Sequence, residues 1–307
     1  MTNDEPRWLL TGGHVTSLNS PIVVLDSGLG GLTVVRSLRG VLAQEDILYF
    51  GDTARVPYGS KSAATVTTFV RQIIAYLQPY NPKHIVIACN TATALAMQTI
   101  RQELPHLSIS GVIEPGARAA VEAAGEQLRP LIGVIGTEAT IRSGAYEKAI
   151  LRRRQYARVI CRATPLLVPI IEEGRPTDDP VVSLAVRQYL KPLIEQQINV
   201  LVLGCTHYPI YKELIAQAVG PSVAVIDSAD KCAEDVQRRL RAARLERPSH
   251  GQPGTLRCFV TDESPRFAAL AGRFLGLRID EPAWVSLDDL HAASGAAAAE
   301  TKLRPAV

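Results

Sequence analysis

Short apolar runs that do not alternate with polar residues, separated by segments of helical period, constrain this chain most. Ile22-Val23-Val24-Leu25, Ile47-Leu48-Tyr49-Phe50, Ile85-Val86-Ile87-Ala88 and Gly111-Val112-Ile113 each read as a strand buried on both faces. Leu29, Leu32, Val35 and Leu38 mark a helix after the first strand. Val66, Phe69, Val70, Ile73, Ile74 and Leu77 give a stronger helical stripe, stopped by Pro79. Strands of this kind predict a parallel α/β sheet with helices on both faces.

The second half repeats the scheme. Leu131-Ile132-Gly133-Val134-Ile135 reads as a strand, followed by a helix through Tyr146 and Ile150. A long helix through Val182, Val186, Leu190 and Leu193 leads to the strands Val200-Leu201-Val202-Leu203 and Val223-Ala224-Val225-Ile226. Helices through Val236 and Leu240, and through Phe267, Leu270 and Phe274, follow. Three landmarks recur at nearly one offset: Asp26 and Thr137 are 111 residues apart, Cys89 and Cys205 are 116 apart, and Val112-Ile113-Glu114 and Val225-Ile226-Asp227 are 113 apart. The pattern predicts two similar α/β lobes from a duplication. Ligands of open parallel sheets sit outside the carboxyl ends of the strands. If the lobes face each other, Cys89 and Cys205 face each other across one cleft.

Composition narrows the partners. Of 307 residues, 33 are Lys or Arg and 30 are Asp or Glu, so no basic arm for nucleic acid is expected. Arg152-Arg153-Arg154 reads as a solvated helix face. No apolar run reaches the length of a membrane span. The first 20 residues, with Asp4, Glu5 and only Leu9-Leu10 as an apolar patch, do not read as a signal peptide. Five cysteines, odd in number and without a CxxC pair, predict free thiols in a reducing cytoplasm. Cys161, Cys232 and Cys258 lack polar company and read as filler.

Several segments carry chemistry-bearing groups. Cys89 lies at a strand end before a helix, where the macrodipole favours a thiolate, while Asn90 and Thr91 there also suit a helix cap. Cys205-Thr206-His207 repeats the arrangement and adds an imidazole. Zinc held by Cys205 and His207 would lack its third and fourth ligands at usual spacings. Asp26-Ser27-Gly28-Leu29-Gly30-Gly31 follows the first strand, with Asp26 open to capping or catalysis. It is no dinucleotide fingerprint, because Thr33 stands where the third glycine would be. That argues against a nicotinamide-dependent dehydrogenase. Pro57-Tyr58-Gly59 reads as a rigid turn that can expose a phenol and a backbone N–H. Of Glu172 and Glu173, one can be solvated while the other reaches an imidazole.

Taken in order, these segments resemble the cofactor-independent aspartate/glutamate racemase superfamily, and within it the glutamate racemases. The matching stretches begin at Asp26, Asp52, Ala88, Gly136, Val168, Leu203 and Ile226, and cover roughly residues 22–240. Thr164, where that family often has cysteine, departs from the pattern.

The resemblance implies an α/β fold of two parallel-sheet lobes related by pseudo-twofold symmetry, with the active site between them. It places residues 21–113 and 223–281 in the first lobe and 114–222 in the second. Residues 1–20 form an N-terminal extension, and residues 282–307 read as a loose tail. By resemblance, Cys89 and Cys205 are the acid/base thiols. Asp26 assists Cys89, and His207 with Glu172 assists Cys205. Asp26, Ser27, Tyr58, Gly59, Asn90, Thr91, Thr137, Thr140, Thr206 and His207 hold the substrate. The implied activity is interconversion of L- and D-glutamate without cofactor or metal, in the cytoplasm, supplying peptidoglycan synthesis. Glutamate is the implied partner, with neither nucleic acid nor membrane, and a homodimer is left open. His207 favours glutamate over the aspartate racemases, which typically carry Glu after the second Cys-Thr. A two-lobed binding protein without chemistry is the alternative from another class.

Overall fold

A computed structural model describes residues 16–248, 252–262 and 267–303. The first lobe runs β1 (Ile22–Asp26), α1 (Leu32–Val41), β2 (Ile47–Gly51), α2 (Ala63–Leu77), β3 (His84–Ile87), α3 (Asn90–Glu103) and β4 (Ile109–Gly111). Helix α4 (Ile113–Ala123) crosses to the second lobe. There the chain forms β5 (Leu131–Gly136), α5 (Glu138–Arg142), α6 (Ala145–Leu151), β6 (Arg158–Ala163), α7 (Leu167–Glu172), α8 (Pro180–Glu195), β7 (Val200–Gly204), α9 (Lys212–Val219) and β8 (Ala224–Asp227). Helix α10 (Ser228–Ala242) packs on α1 and α4 and returns the chain to the first lobe. It ends as β9 (Leu256–Val260), α11 (Phe267–Leu275), β10 (Ala283–Trp284) and α12 (Leu287–Leu303).

The two sheets explain the repeated landmarks. The first has the order β10-β9-β2-β1-β3-β4 and the second β6-β5-β7-β8. All pairings are parallel. The four-strand core β2-β1-β3-β4 corresponds strand for strand to β6-β5-β7-β8. Every residue of β1, β2, β3 and β7 is buried, in keeping with the apolar runs that make up most of each.

Three expectations need correction. Residues 223–226 were expected with the first lobe. Instead β8 pairs with β7, Val200 opposite Ala224, and closes the second sheet as β4 closes the first. Residues 282–307 were expected as a loose tail, of which 304–307 lie outside the described residues. Instead β10 adds a strand beside β9, and α12 packs on α2 with Val285 and Leu290 buried. The alanine-rich run is a good helix former, and that propensity prevails. The strand expected at 111–113 lies two residues earlier, because Ile113 already opens α4 with Glu114 in its first turn. Strands β6 and β9 carry arginines among their apolar residues and so lack an unbroken run; β6 is a half-buried edge. Residues 1–15 of the expected N-terminal extension lie outside the described residues. No helix among the described residues is long and apolar enough to cross a membrane.

Candidate active site

The carboxyl ends of β1, β3, β5 and β7 open onto one cavity of about 390 Å³ between the lobes. The first lobe contributes Ser27, Tyr58, Gly59, Cys89, Asn90 and Thr91 to its walls. The second contributes Thr137, Glu172, Cys205, Thr206 and His207. Asp26 and Thr140 stand behind the walls, almost fully buried. Eleven of the thirteen residues singled out in the sequence therefore line one cleft, and the thiols of Cys89 and Cys205 are among them. Among the described residues, neither arginine nor lysine lines it. A bound carboxylate would be held by hydroxyls, amides and helix ends.

Cys89 caps α3: its Sγ accepts from the Ala92 N–H at 3.4 Å. Burial pushes its thiol up to about 12, and the neighbouring Asp26 adds to the rise, against the Ser27 hydroxyl and the Ala92 N–H. At neutral pH Cys89 is therefore a protonated thiol. Asp26, at the end of β1, accepts from the Gly28 N–H at 3.0 Å through Oδ2. Its Oδ1 has no hydrogen-bond partner among the described residues. Burial raises the Asp26 carboxyl, opposed by the charge of His207 and by backbone N–H groups. It can hold or release a proton beside Cys89.

Cys205 follows β7. Its Sγ lies 3.8 Å from Nδ1 of His207, and Nε2 of His207 lies 2.9 Å from Oε1 of Glu172. Burial alone would lower the imidazole. The Cys205 and Glu172 contacts outweigh it and raise His207 to about 10. His207 is thus an imidazolium near pH 7. The neighbouring carboxylate, Glu173, is exposed and pairs with Arg175 at 2.6 Å, so the two glutamates divide their tasks.

The turn after β1 is built to admit the turn after β7. A Cβ on Gly30 would strike Thr206 Oγ1 and His207 Nδ1, so only glycine fits. Thr33 Oγ1 lies 2.8 Å from the Gly30 carbonyl and 3.0 Å from that of Thr206, stitching one lobe to the other. A second stitch joins hydroxyls. Thr91 Oγ1 lies 2.9 Å from Thr137 and 3.2 Å from Thr140, which are themselves 2.9 Å apart. Thr137 also caps α5.

Tyr58 is placed differently from a free phenol. Its hydroxyl donates to Asp52, which also binds Arg55 at 2.7 Å and Thr261 at 3.0 Å. The Tyr58 ring is wall, while Gly59 lies close against Thr137. Sequence reasoning also missed Phe274, whose ring meets His207 edge-on at 5.3 Å. On the α11 stripe it looked like any core residue. Thr164, the departure noted above, lies 2.6 Å from the Tyr208 hydroxyl. Among the described residues no cluster of three or more His, Cys, Asp or Glu could hold a metal ion.

Two α/β lobes of matching topology, each presenting a thiol to a shared cleft, define the class of two-lobed racemases. The chain belongs to the Asp/Glu/Hydantoin racemase family, whose model matches residues 32–236, and it is thus an isomerase. It is 46% identical over 269 residues to a glutamate racemase of Geobacter metallireducens, covering 87% of this chain and 97% of that one. A crystal structure of Francisella tularensis glutamate racemase in complex with D-glutamate superposes with a TM-score of 0.81 at 36% identity, covering 88% of this chain and 99% of that one. One of Thermus thermophilus glutamate racemase in complex with β-chloro-D-alanine gives 0.78 at 42% identity, covering 89% of this chain and 100% of that one.

Proposed function

We propose that this enzyme interconverts L- and D-glutamate by proton transfer at Cα between two cysteines, without a cofactor. The observation that carries the reading is the pair of buried thiols, Cys89 and Cys205, lining one cavity from corresponding strand ends of the two lobes. Inversion needs a proton removed from one face and another delivered to the opposite face. Two groups on opposite walls do this without turning the substrate. Cys205 takes the α-proton of L-glutamate, with His207 as its counter-ion. Cys89, held as a thiol, delivers a proton to the other face. In the reverse direction the roles exchange, and Asp26 takes up the Cys89 proton. The carbanion-like transition state is stabilised by hydroxyls and N–H groups fixed in a cleft that excludes water. Ser27, Asn90, Thr91, Thr137 and Thr206 hold the carboxylates and the ammonium. The D-glutamate so formed supplies peptidoglycan synthesis in the cytoplasm.

The relatives' names and the D-glutamate complex of the Francisella tularensis protein support glutamate as the substrate. The test is incubation of each enantiomer of glutamate and of aspartate in heavy water with no added cofactor, followed by chiral analysis. Glutamate is expected to racemise with solvent deuterium at Cα, and aspartate to stay largely unchanged. Faster turnover of aspartate would overturn the substrate assignment. Binding of glutamate with no exchange at Cα would leave a binding protein.

A further inference from the structure

We propose that Tyr146 is a positioning residue: one rigid side chain that spans the two catalytic turns, fixing the distance between the thiols and turning the Asn90 amide toward the substrate. This rests on the reading of Cys89 and Cys205 as the acid/base pair. Tyr146 belongs to α6 of the second lobe and is buried. Its hydroxyl donates to Asn90 Oδ1 at 2.7 Å, across the boundary between lobes. Asn90 directly follows Cys89. The ring lies against Gly204, which directly precedes Cys205; a Cβ there would stand 3.0 Å from Tyr146 Cε2. On its other side Gly116 of α4 leaves room for the ring, since a Cβ would stand 3.4 Å from both Cε1 and the hydroxyl. The residue after one thiol and the residue before the other thus rest on a single phenol.

The hydrogen bond also decides which way an amide faces. Asn90 Oδ1 is occupied by Tyr146, while Asn90 Nδ2 is buried without a partner among the described residues. Asn90 lines the cavity, so Nδ2 is the end left for a ligand, and it donates. A substrate carboxylate supplies the matching acceptor. Without the phenolic hydroxyl the amide is free to rotate by half a turn and present an oxygen to that anion. Leaving a buried donor or acceptor unmatched is what makes such a contact selective.

Two variants separate the two roles. Tyr146→Phe keeps the ring and loses the hydroxyl; Tyr146→Ala loses both. Tyr146→Phe is expected to raise KM for both enantiomers by about five- to tenfold, with kcat changed less, the signature of lost ground-state binding. If Tyr146 acts through Asn90, the double variant Tyr146→Phe/Asn90→Ala is no worse than Asn90→Ala alone. Losses that multiply, or a Tyr146→Phe enzyme with the parent KM, would overturn the orienting role. Spacing is read without turnover by a short bifunctional thiol reagent and peptide mapping of a Cys89–Cys205 crosslink. Parent and Tyr146→Phe are expected to crosslink, and Tyr146→Ala to lose most of the yield. An undiminished crosslink in folded Tyr146→Ala overturns the spacing role; if that variant does not fold, Tyr146→Leu, which also removes the ring but fills more of its space, is read in the same way. A parent enzyme that crosslinks but does not racemise glutamate counts against the substrate assignment and leaves the spacing result to stand.

Discussion

Glu172 and His207 are joined through Oε1 and Nε2 at 2.9 Å, although the carboxylate is 39% exposed and the imidazole is buried. The ring is raised first by its contact with Cys205 and then by this partly solvated carboxylate. Replacing Glu172 by Gln keeps the size and removes the charge. The His207 pKa then falls from about 10 toward its ordinary value. An opposite charge at this distance is worth about 1–3 pH units. The alkaline limb of kcat/KM for L-glutamate is expected to move to lower pH by that amount.

The same shift links to stability. With His207 raised, the folded state holds a proton that the unfolded chain releases above about pH 6.5. Its contribution is complete below that pH and is lost as pH rises through about 10. Thermal unfolding between pH 6 and 10 is expected to show this loss in the parent. In Glu172→Gln the loss falls in a narrower window that ends at lower pH. A pH profile identical in both proteins would mean that Glu172 does not charge the ring.

Asp26 raises the Cys89 thiol, so it is not there to make a thiolate. Asp26→Asn can still accept from the Gly28 N–H but carries no charge. Two opposite changes are expected. Alkylation of Cys89 at pH 8 becomes faster, because the repelling charge is gone. Racemisation falls by about 10²–10⁴-fold, the range for loss of a positioned proton carrier. Faster alkylation with unchanged racemisation would rule out a proton-relay role.

Gly30 and Thr33 hold the second lobe's turn against the first. Gly30→Ala would force a methyl into Thr206 and His207, an overpacking that costs about 1–3 kcal/mol. Thr33→Val removes the hydroxyl contacts to the Gly30 and Thr206 carbonyls, worth about 0.5–1.5 kcal/mol. Urea unfolding measures both. Gly30→Ala is expected to lose far more activity than its stability loss explains, because it displaces His207 itself. A Gly30→Ala enzyme of parent activity would refute that close approach.

The cleft was legible because the chemistry sits at strand ends, and strand ends can be read from apolar runs. Asp26, Cys89 and Cys205 announce themselves by interrupting such runs with a polar or sulfur group. The matched offsets then place the thiols in corresponding positions of two lobes. The sequence shows that the turn at Tyr58 can expose a phenol but not that the phenol is bound to Asp52, six residues away around a turn whose geometry the sequence does not carry. Tyr146 and Phe274 were hidden for another reason. Each occupies an ordinary apolar position of a helix, and only the tertiary arrangement brings it to Asn90 or His207. The lobe boundary failed at β8, since an apolar strand of four residues does not say which sheet it joins.

The two thiols are expected to fail differently when removed singly. Cys89→Ala and Cys205→Ala each lack the acid/base group on one face and retain the other. Racemisation needs both faces, so it should fall by about 10²–10⁴-fold or more in each variant. An elimination needs only one. With chloride at Cβ of the amino acid, a single thiolate removes the α-proton, the electron pair forms the Cα–Cβ double bond, and chloride leaves. Cys89 is assigned to the D-enantiomer and Cys205 to the L-enantiomer. Cys205→Ala should therefore still process D-configured β-chloroglutamate, and Cys89→Ala the L-configured one. The protonated state of Cys89 adds a detail: the D-directed elimination should accelerate with pH as its thiol, raised to about 12, begins to ionise. Cys232 and Cys258, also raised to about 12 by burial, serve as controls. Their replacement by alanine should cost about 1 kcal/mol of stability and leave both eliminations intact. The assay is chloride release from each enantiomer by each variant across pH 6–10. If either single variant racemises glutamate near the parent rate, the two-thiol mechanism does not hold for this enzyme.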